Sequence, residues 1–180
     1  GSTPVGYLVG RCWGLDIRKL GSGNVGATNV KRTCGQKAGY LTLVLDILKG
    51  FVAVTLLANL YGTVQGLEDG ANISAFFGLA AILGHCYSPF LNFRGGKGVA
   101  TSIGVFIVLC PAATVVAVFV YLAVRKYSGF VSLGSLSAAL ALPLANYFLF
   151  PSADPSVFWV SALIALLIVV RHKDNIRRLI

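Results

Sequence analysis

Three stretches of the chain combine small residues with cations, amides or hydroxyls. They are Gly21-Ser22-Gly23-Asn24-Val25-Gly26-Ala27-Thr28-Asn29, Gly95-Gly96-Lys97-Gly98 and Arg171-His172-Lys173-Asp174-Asn175-Ile176-Arg177-Arg178. Open backbone together with cationic, amide and hydroxyl donors is the chemistry of phosphate capture. Each stretch stands at the end of an apolar run, where a chain crossing a bilayer would meet water. The economical reading is one phosphate-handling site assembled at a membrane face.

Gly21 to Gly26 matches G-x-G-x-x-G, but the strand and crossover helix of a dinucleotide fold are missing around it. The loop reads instead as a compact turn presenting N–H groups, with Ser22, Asn24, Thr28 and Asn29 as neutral donors and Lys31 and Arg32 as nearby charge. The plain alternative is a linker between helices. Gly95-Gly96-Lys97-Gly98 looks like half a P-loop without the G-x-x-x-x-G-K-[ST] spacing, which argues against ATP hydrolysis. A helix starting near Gly98 would aim its unpaired N–H groups and its dipole at an anion. Lys97 adds a point charge there.

Asp46 and Lys49 fall inside an apolar run at i, i+3, and such a pair neutralises itself or serves a site. His85 reads as a hydrogen-bonded packing residue. His172 and Asn175 share one face if the tail is helical, with a basic membrane anchor as the plain alternative. Ser132 and Ser135 also share a face, and neither has the His/Asp partner that a serine nucleophile needs.

The elements that must carry these residues are apolar helices. The chain has 180 residues, of which 56% are hydrophobic and only 12% charged, with a mean hydropathy of +0.79. Soluble domains carry about 25% charged residues, so the class is an all-α polytopic membrane protein. Apolar segments run over 1–10 in part, 39–61, 72–93, 98–124, 129–150 and 156–170. With no repeat or linker, residues 1–180 read as one domain.

The net charge of +9 lies between the apolar runs, as in cytoplasmic loops, so nucleic acid is not expected as a partner. Arg11, Arg18, Lys19, Lys31, Arg32 and Lys37 crowd the first loop, whereas Glu68, Asp69 and Asp154 mark loops without Lys or Arg. All basic loops fall on one side only if Cys110-Pro111 turns the chain, dividing 98–124 into two short helices; proline lacks the N–H a continuing helix needs. That gives about seven transmembrane helices, the first truncated, two short ones broken near Pro111, and an active site at the cytoplasmic face. Five long spans is the alternative.

Cys12, Cys34, Cys86 and Cys110 have neither C-x-x-C nor zinc-like spacing, so no disulfide or metal is expected. The opening Gly1-Ser2-Thr3-Pro4 and the apolar stretch from Val5 to Val9 read as the tail of a truncated helix, without a cleavable signal peptide.

Five stretches in order resemble the bacterial acyl-phosphate:glycerol-3-phosphate acyltransferases, the PlsY family. They are GSGNVGATNVKRTCGQKAG (21–39), LDILKG (45–50), GHCYSPFLNFRGGKGVATS (84–102), FVSLGS (130–135) and RHKDNIRRL (171–179). The resemblance spans essentially the whole chain. One departure is Pro89, four residues after His85 where many members place it three after. The resemblance implies transfer of a fatty acyl group from acyl phosphate to the 1-hydroxyl of glycerol 3-phosphate. Lysophosphatidate and phosphate are the products, in phospholipid synthesis at the bacterial inner membrane. The H-x-x-x-x-D signature of the other glycerol-phosphate acyltransferases is missing at both histidines.

On this reading Gly95, Gly96, Lys97 and Gly98 are expected to hold the acyl phosphate, with the loop's N–H groups stabilising charge on its carbonyl oxygen. Ser22, Asn24, Arg32, Ser135, His172 and Asn175 would hold glycerol 3-phosphate. Lys97, Arg32, His172, Asn175 and Ser135 form the catalytic set, with no cofactor and no metal. The protein is expected to be a monomer among membrane lipids. A transporter for a small phosphorylated solute is the rival reading, since broken helices and cationic pockets suit that too.

Overall fold

In the computed structural model of the chain, residues 1–65, 71–149 and 155–178 are described, and their regular structure is helical. Glu68, Asp69 and Asp154 lie outside the described residues. Helix α1 spans Val5–Cys12 and α2 spans Ala27–Cys34. Gly35, with φ +90°, then turns the chain into α3, Gln36–Val52. A single π-turn at Ala53–Leu57 joins α3 to α4, Ala58–Gln65. The resulting rod of 30 residues is about 45 Å long, ample for a hydrocarbon core about 30 Å thick.

Helix α5 covers Ala71–Cys86, α6 Val99–Leu109, α7 Pro111–Ser128, α8 Val131–Phe148 and α9 Pro155–Arg171; the one-turn α10 is Lys173–Ile176. Among the described residues, three helical stretches are long and apolar enough to cross a membrane: Gln36–Gln65, Ile73–Leu91 and Val131–Phe148. Val99–Leu109 and Pro155–Arg171 are shorter apolar helices. Leu56, Leu60, Phe76, Phe119, Trp159 and Leu166 point outward, each more than half exposed, as a surface bathed by lipid requires.

The chain does break at Pro111. Cys110 leaves the helical region (φ −149°, ψ 74°) and Pro111 restarts it as the first residue of α7. The two pieces are unequal, however. Helix α6 has 11 residues, while α7 has 18 and runs on through Arg125 and Lys126 until Gly129, at φ +76°, ends it. A tight turn then folds α8 back along α7.

Two buried clusters form the core of the described residues. One surrounds Phe106, with Ile82, Ile164 and Ile168 from α5 and α9. The other packs α1 and α2 through Val5, Val9, Ile17 and Val30. Close helix contact substitutes for bulk where α3 meets α6: a Cβ on Gly104 would lie 1.9 Å from the Ile47 carbonyl oxygen. Small residues of this kind let membrane helices touch backbone to backbone.

Candidate functional site

The three chemistry-bearing stretches converge on one cavity of about 1070 Å³. Its lining includes Ser22, Asn24, Arg32, Lys97, Gly98, Ser135, His172 and Asn175. Arg125, Arg171, Lys173 and Arg178 bring further positive charge to it. The N-termini of α2 (Gly26 to Thr28) and α6 (Gly98 to Ala100) also open there, and the first turn of a helix leaves N–H groups without partners in the helix. Below this polar mouth the cavity continues between α6, α7, α8 and α9, past Phe106, Ala117, Ala139, Leu142 and Ile164. One end suits an anion and the other a hydrocarbon chain.

Asn29 builds the first loop. Its side-chain N–H groups donate to the carbonyls of Ile17 and Leu20, both at 3.1 Å, and its Oδ1 accepts the Ser22 N–H at 2.9 Å. It is 2% exposed, so the donor role expected from sequence is replaced by a stapling role. Two of the loop's glycine N–H groups are consumed as well: Gly23 N–H donates to the Leu20 carbonyl and Gly26 N–H to Asn24 Oδ1. Ser22 and Asn24 line the cavity together with Gly26, Ala27 and Thr28 at the start of α2. Gly21 and Gly23, at φ +59° and +69°, supply the left-handed geometry that makes the turn this tight.

The second stretch is reorganised in the same way. The turn after α5 passes through Asn92 and Phe93, both at positive φ, and returns antiparallel to its own start. Gly95 N–H donates to the Cys86 carbonyl and Gly96 N–H to the His85 carbonyl. Arg171 Nη2 caps the other side, donating to the carbonyls of Gly95 (2.9 Å) and Gly96 (3.0 Å), with its guanidinium over the Tyr87 ring. Gly95 and Gly96 thus stand behind the cavity wall with no N–H left for a ligand. The pair is small because a Cβ on Gly96 would strike the His85 ring at 2.1 Å. What faces the cavity is Lys97 and Gly98.

His85 is itself fixed. Lys49 Nζ lies 2.7 Å from Asp46 Oδ1 and 2.7 Å from His85 Nδ1. An ammonium only donates, so Nδ1 is the accepting nitrogen. The i, i+3 pairing expected from sequence is therefore present, and it extends through His85 to the backbone that presents Lys97.

Lys97 donates to Asn175 Oδ1. Burial, reinforced by the positive charge of Arg178, pushes the Lys97 ammonium down to about 8. His172 is 3% exposed and its Nδ1 lies 2.8 Å from the Ile168 carbonyl oxygen. A carbonyl only accepts, so Nδ1 carries the hydrogen and Nε2 holds the lone pair. Burial, followed by the Lys97 charge, holds His172 down to about 4, leaving it uncharged at neutral pH. Asn175 shares its face across one turn, its N–H donating to the His172 carbonyl. Ser135 lines the cavity with its O–H turned back onto the Val131 carbonyl at 2.9 Å.

Arg171 was not singled out for a role by sequence reasoning. Its partners are carbonyls 75 and 76 residues away, so no local spacing marks it. The only signal was its position beside His172 at a helix end.

The sequence model of the glycerol-3-phosphate acyltransferase family matches residues 1–180. A glycerol-3-phosphate acyltransferase from Trichlorobacter lovleyi is 44% identical over 180 residues, covering 100% of this chain and 88% of its own length. One from Geobacter sulfurreducens is 43% identical over 99% of the chain and 88% of its own length. A crystal structure of PlsY, described as an integral membrane glycerol 3-phosphate acyltransferase in its glycerol 3-phosphate form, superposes with a TM-score of 0.88 at 37% identity. It covers 99% of this chain and 85% of that one. The lysophosphatidic acid form gives 0.86 at 36% identity over the same shares.

Proposed function

The chain belongs to the glycerol-3-phosphate acyltransferase family and is an integral-membrane acyltransferase; from that premise we propose that it moves a fatty acyl group from acyl phosphate to the 1-hydroxyl of sn-glycerol 3-phosphate. Lysophosphatidate and inorganic phosphate are the products. The observation that carries this reading is the two-part cavity, in which cations and two helix N-termini crowd one end and apolar helix faces line the other. An acyl phosphate has that division within a single molecule. A second phosphate, on glycerol, uses the remaining cations.

Lys97 and the α6 N-terminus hold the acyl-phosphate headgroup, with Gly95 and Gly96 as the framework that presents them. Arg32, His172, Asn175 and Ser135 hold glycerol 3-phosphate, and Ser22 and Asn24 shape the floor. The Ser135 O–H, which donates to the Val131 carbonyl, would rotate to donate to a phosphate oxygen of the bound substrate. The 1-hydroxyl attacks the carbonyl directly, because the cavity lining among the described residues presents no activated nucleophile. Its proton passes to a substrate phosphate, whose second pKa is about 6, since uncharged His172 at about 4 is the weaker base. The protein acts as a monomer in the bacterial plasma membrane, with the cavity mouth towards the cytoplasm, where positive-inside logic places the basic loops.

The test is turnover by purified protein with palmitoyl phosphate and glycerol 3-phosphate, with the product identified by mass spectrometry. Lysophosphatidate is expected, and Lys97→Ala or Arg32→Ala should nearly abolish it. Product from palmitoyl-CoA but not from palmitoyl phosphate overturns the donor. Uptake of glycerol 3-phosphate into proteoliposomes without any acylated product would favour transport instead.

A further inference from the structure

Serine and threonine in membrane helices normally donate their hydroxyl back to a carbonyl about one turn earlier. The buried hydroxyls lining the deeper cavity follow that rule. Thr114 donates to the Cys110 carbonyl at 3.0 Å, Ser135 to Val131 at 2.9 Å and Ser161 to Phe158 at 2.7 Å. Ser102 does not. It lines the same cavity, is 6% exposed, and its Oγ has no hydrogen-bond partner among the described residues; the neighbouring Thr101 hydroxyl is unpartnered too, but Thr101 does not line the cavity. Leaving a buried hydroxyl unpaired costs free energy, so alanine would be the better residue there if packing were the only demand.

Its position says what would complete it. Gly98, Ser102 and Phe106 form the stripe of α6 that faces the cavity, each four residues from the next. Ser102 therefore lies one turn, about 6 Å, below the helix N-terminus and the same distance above the apolar section. An acyl donor with its phosphate at Lys97 and its chain along Phe106 has one polar group in between, the acyl carbonyl.

We propose that the Ser102 hydroxyl donates a hydrogen bond to the carbonyl oxygen of the acyl donor and to the oxyanion that forms from it. The inference rests on the acyl-transfer reading above. As the 1-hydroxyl oxygen bonds to the carbonyl carbon, the π pair moves onto the carbonyl oxygen, facing Ser102 Oγ–H. The pair then reforms the C=O bond while the bond from the acyl carbon to the phosphate oxygen breaks, and phosphate leaves with those electrons. The proton of the attacking hydroxyl goes to phosphate. Ser102 keeps its own proton throughout and forms no covalent bond, which makes it a catalytic residue of the oxyanion-stabilising kind.

The test compares Ser102→Ala and Ser102→Thr with the wild type in steady-state kinetics and thermal unfolding. Ser102→Ala is expected to lower kcat on the order of 10²-fold, the effect of removing one such donor. KM for both substrates should stay within a few-fold, and the unfolding temperature should be unchanged or raised, because the orphaned hydroxyl is gone. Ser102→Thr keeps the hydroxyl and should recover most of kcat. Wild-type kcat in Ser102→Ala overturns the proposal, as does a variant that loses kcat and unfolding temperature together without rescue by threonine. If the wild type itself shows no turnover with acyl phosphate, the failure belongs to the acyl-transfer reading.

Discussion

Consider raising the pH on the protein with its substrates already fully dianionic. Lys97 is held down to about 8 by burial, with Arg178 adding to the effect, whereas a free lysine titrates near 10.5. On the acyl-transfer reading proposed above, the phosphate site needs the ammonium form. At pH 9 only about a tenth of the empty protein would carry that proton, so binding must first take one up. KM for the phosphate substrate held at Lys97 should therefore rise about tenfold per pH unit above 8, until the pKa of the bound state is reached.

Stability runs the other way. The folded pKa is depressed below the unfolded value, so below pH 8 both states hold the proton and the cost of burying the charge is fully present. Between about 8 and 10.5 the unfolded chain binds more protons, and stability rises with pH across that window. The assay is KM for acyl phosphate and thermal unfolding in detergent, from pH 7 to 10, for wild type and Lys97→Met. Methionine has no proton to lose, so the Lys97-linked rise in unfolding temperature should vanish in the variant. A wild-type KM flat from pH 7.5 to 9.5 would refute both the burial of Lys97 and its contact with phosphate.

Other predictions follow from the framework around the cavity. Asn29→Ala removes three hydrogen bonds and leaves the Ser22 N–H without its partner, although the Ile17 and Leu20 carbonyls keep backbone donors; it should cost about 2–3 kcal/mol of stability, read by denaturant or thermal unfolding. Gly104→Ala places a Cβ 1.9 Å from the Ile47 carbonyl oxygen, so α3 and α6 must part; a loss of about 3 kcal/mol or a failure to purify folded protein is expected. Arg171→Lys keeps the charge but cannot span the Gly95 and Gly96 carbonyls with a planar fork. Its kcat/KM should drop about tenfold or more while the protein stays folded, as circular dichroism would check.

Which residues gather at the cavity was legible because glycines, cations and amides stand out in composition against apolar helices. Ser22, Asn24, Arg32, Lys97, Ser135, His172 and Asn175 all reach the one cavity. The break at Pro111 was legible for a local reason, the missing N–H. The division of labour inside each loop was not. Whether Gly95 N–H faces a ligand or the Cys86 carbonyl depends on how the chain returns through Asn92 and Phe93, which neither spacing nor composition specifies. Asn29 looked like a donor for the same reason; its amide chemistry is correct and only its direction differs. The length of α7 was misjudged because Arg125 and Lys126 read as a loop, yet charged residues prolong a helix readily until Gly129 ends it. Ser102 stands within the GHCYSPFLNFRGGKGVATS stretch without an assigned role, since its burial at the cavity wall without a partner is set by packing that spacing does not reveal.

The most direct test of the whole account is phosphate release in a rapid-mixing experiment with palmitoyl phosphate, with and without glycerol 3-phosphate. Direct transfer in one cavity predicts no release from acyl phosphate alone. With both substrates present, it predicts one phosphate per lysophosphatidate from the first turnover onward. A burst of one phosphate per protein before glycerol 3-phosphate is added would reveal an acyl-enzyme and contradict it.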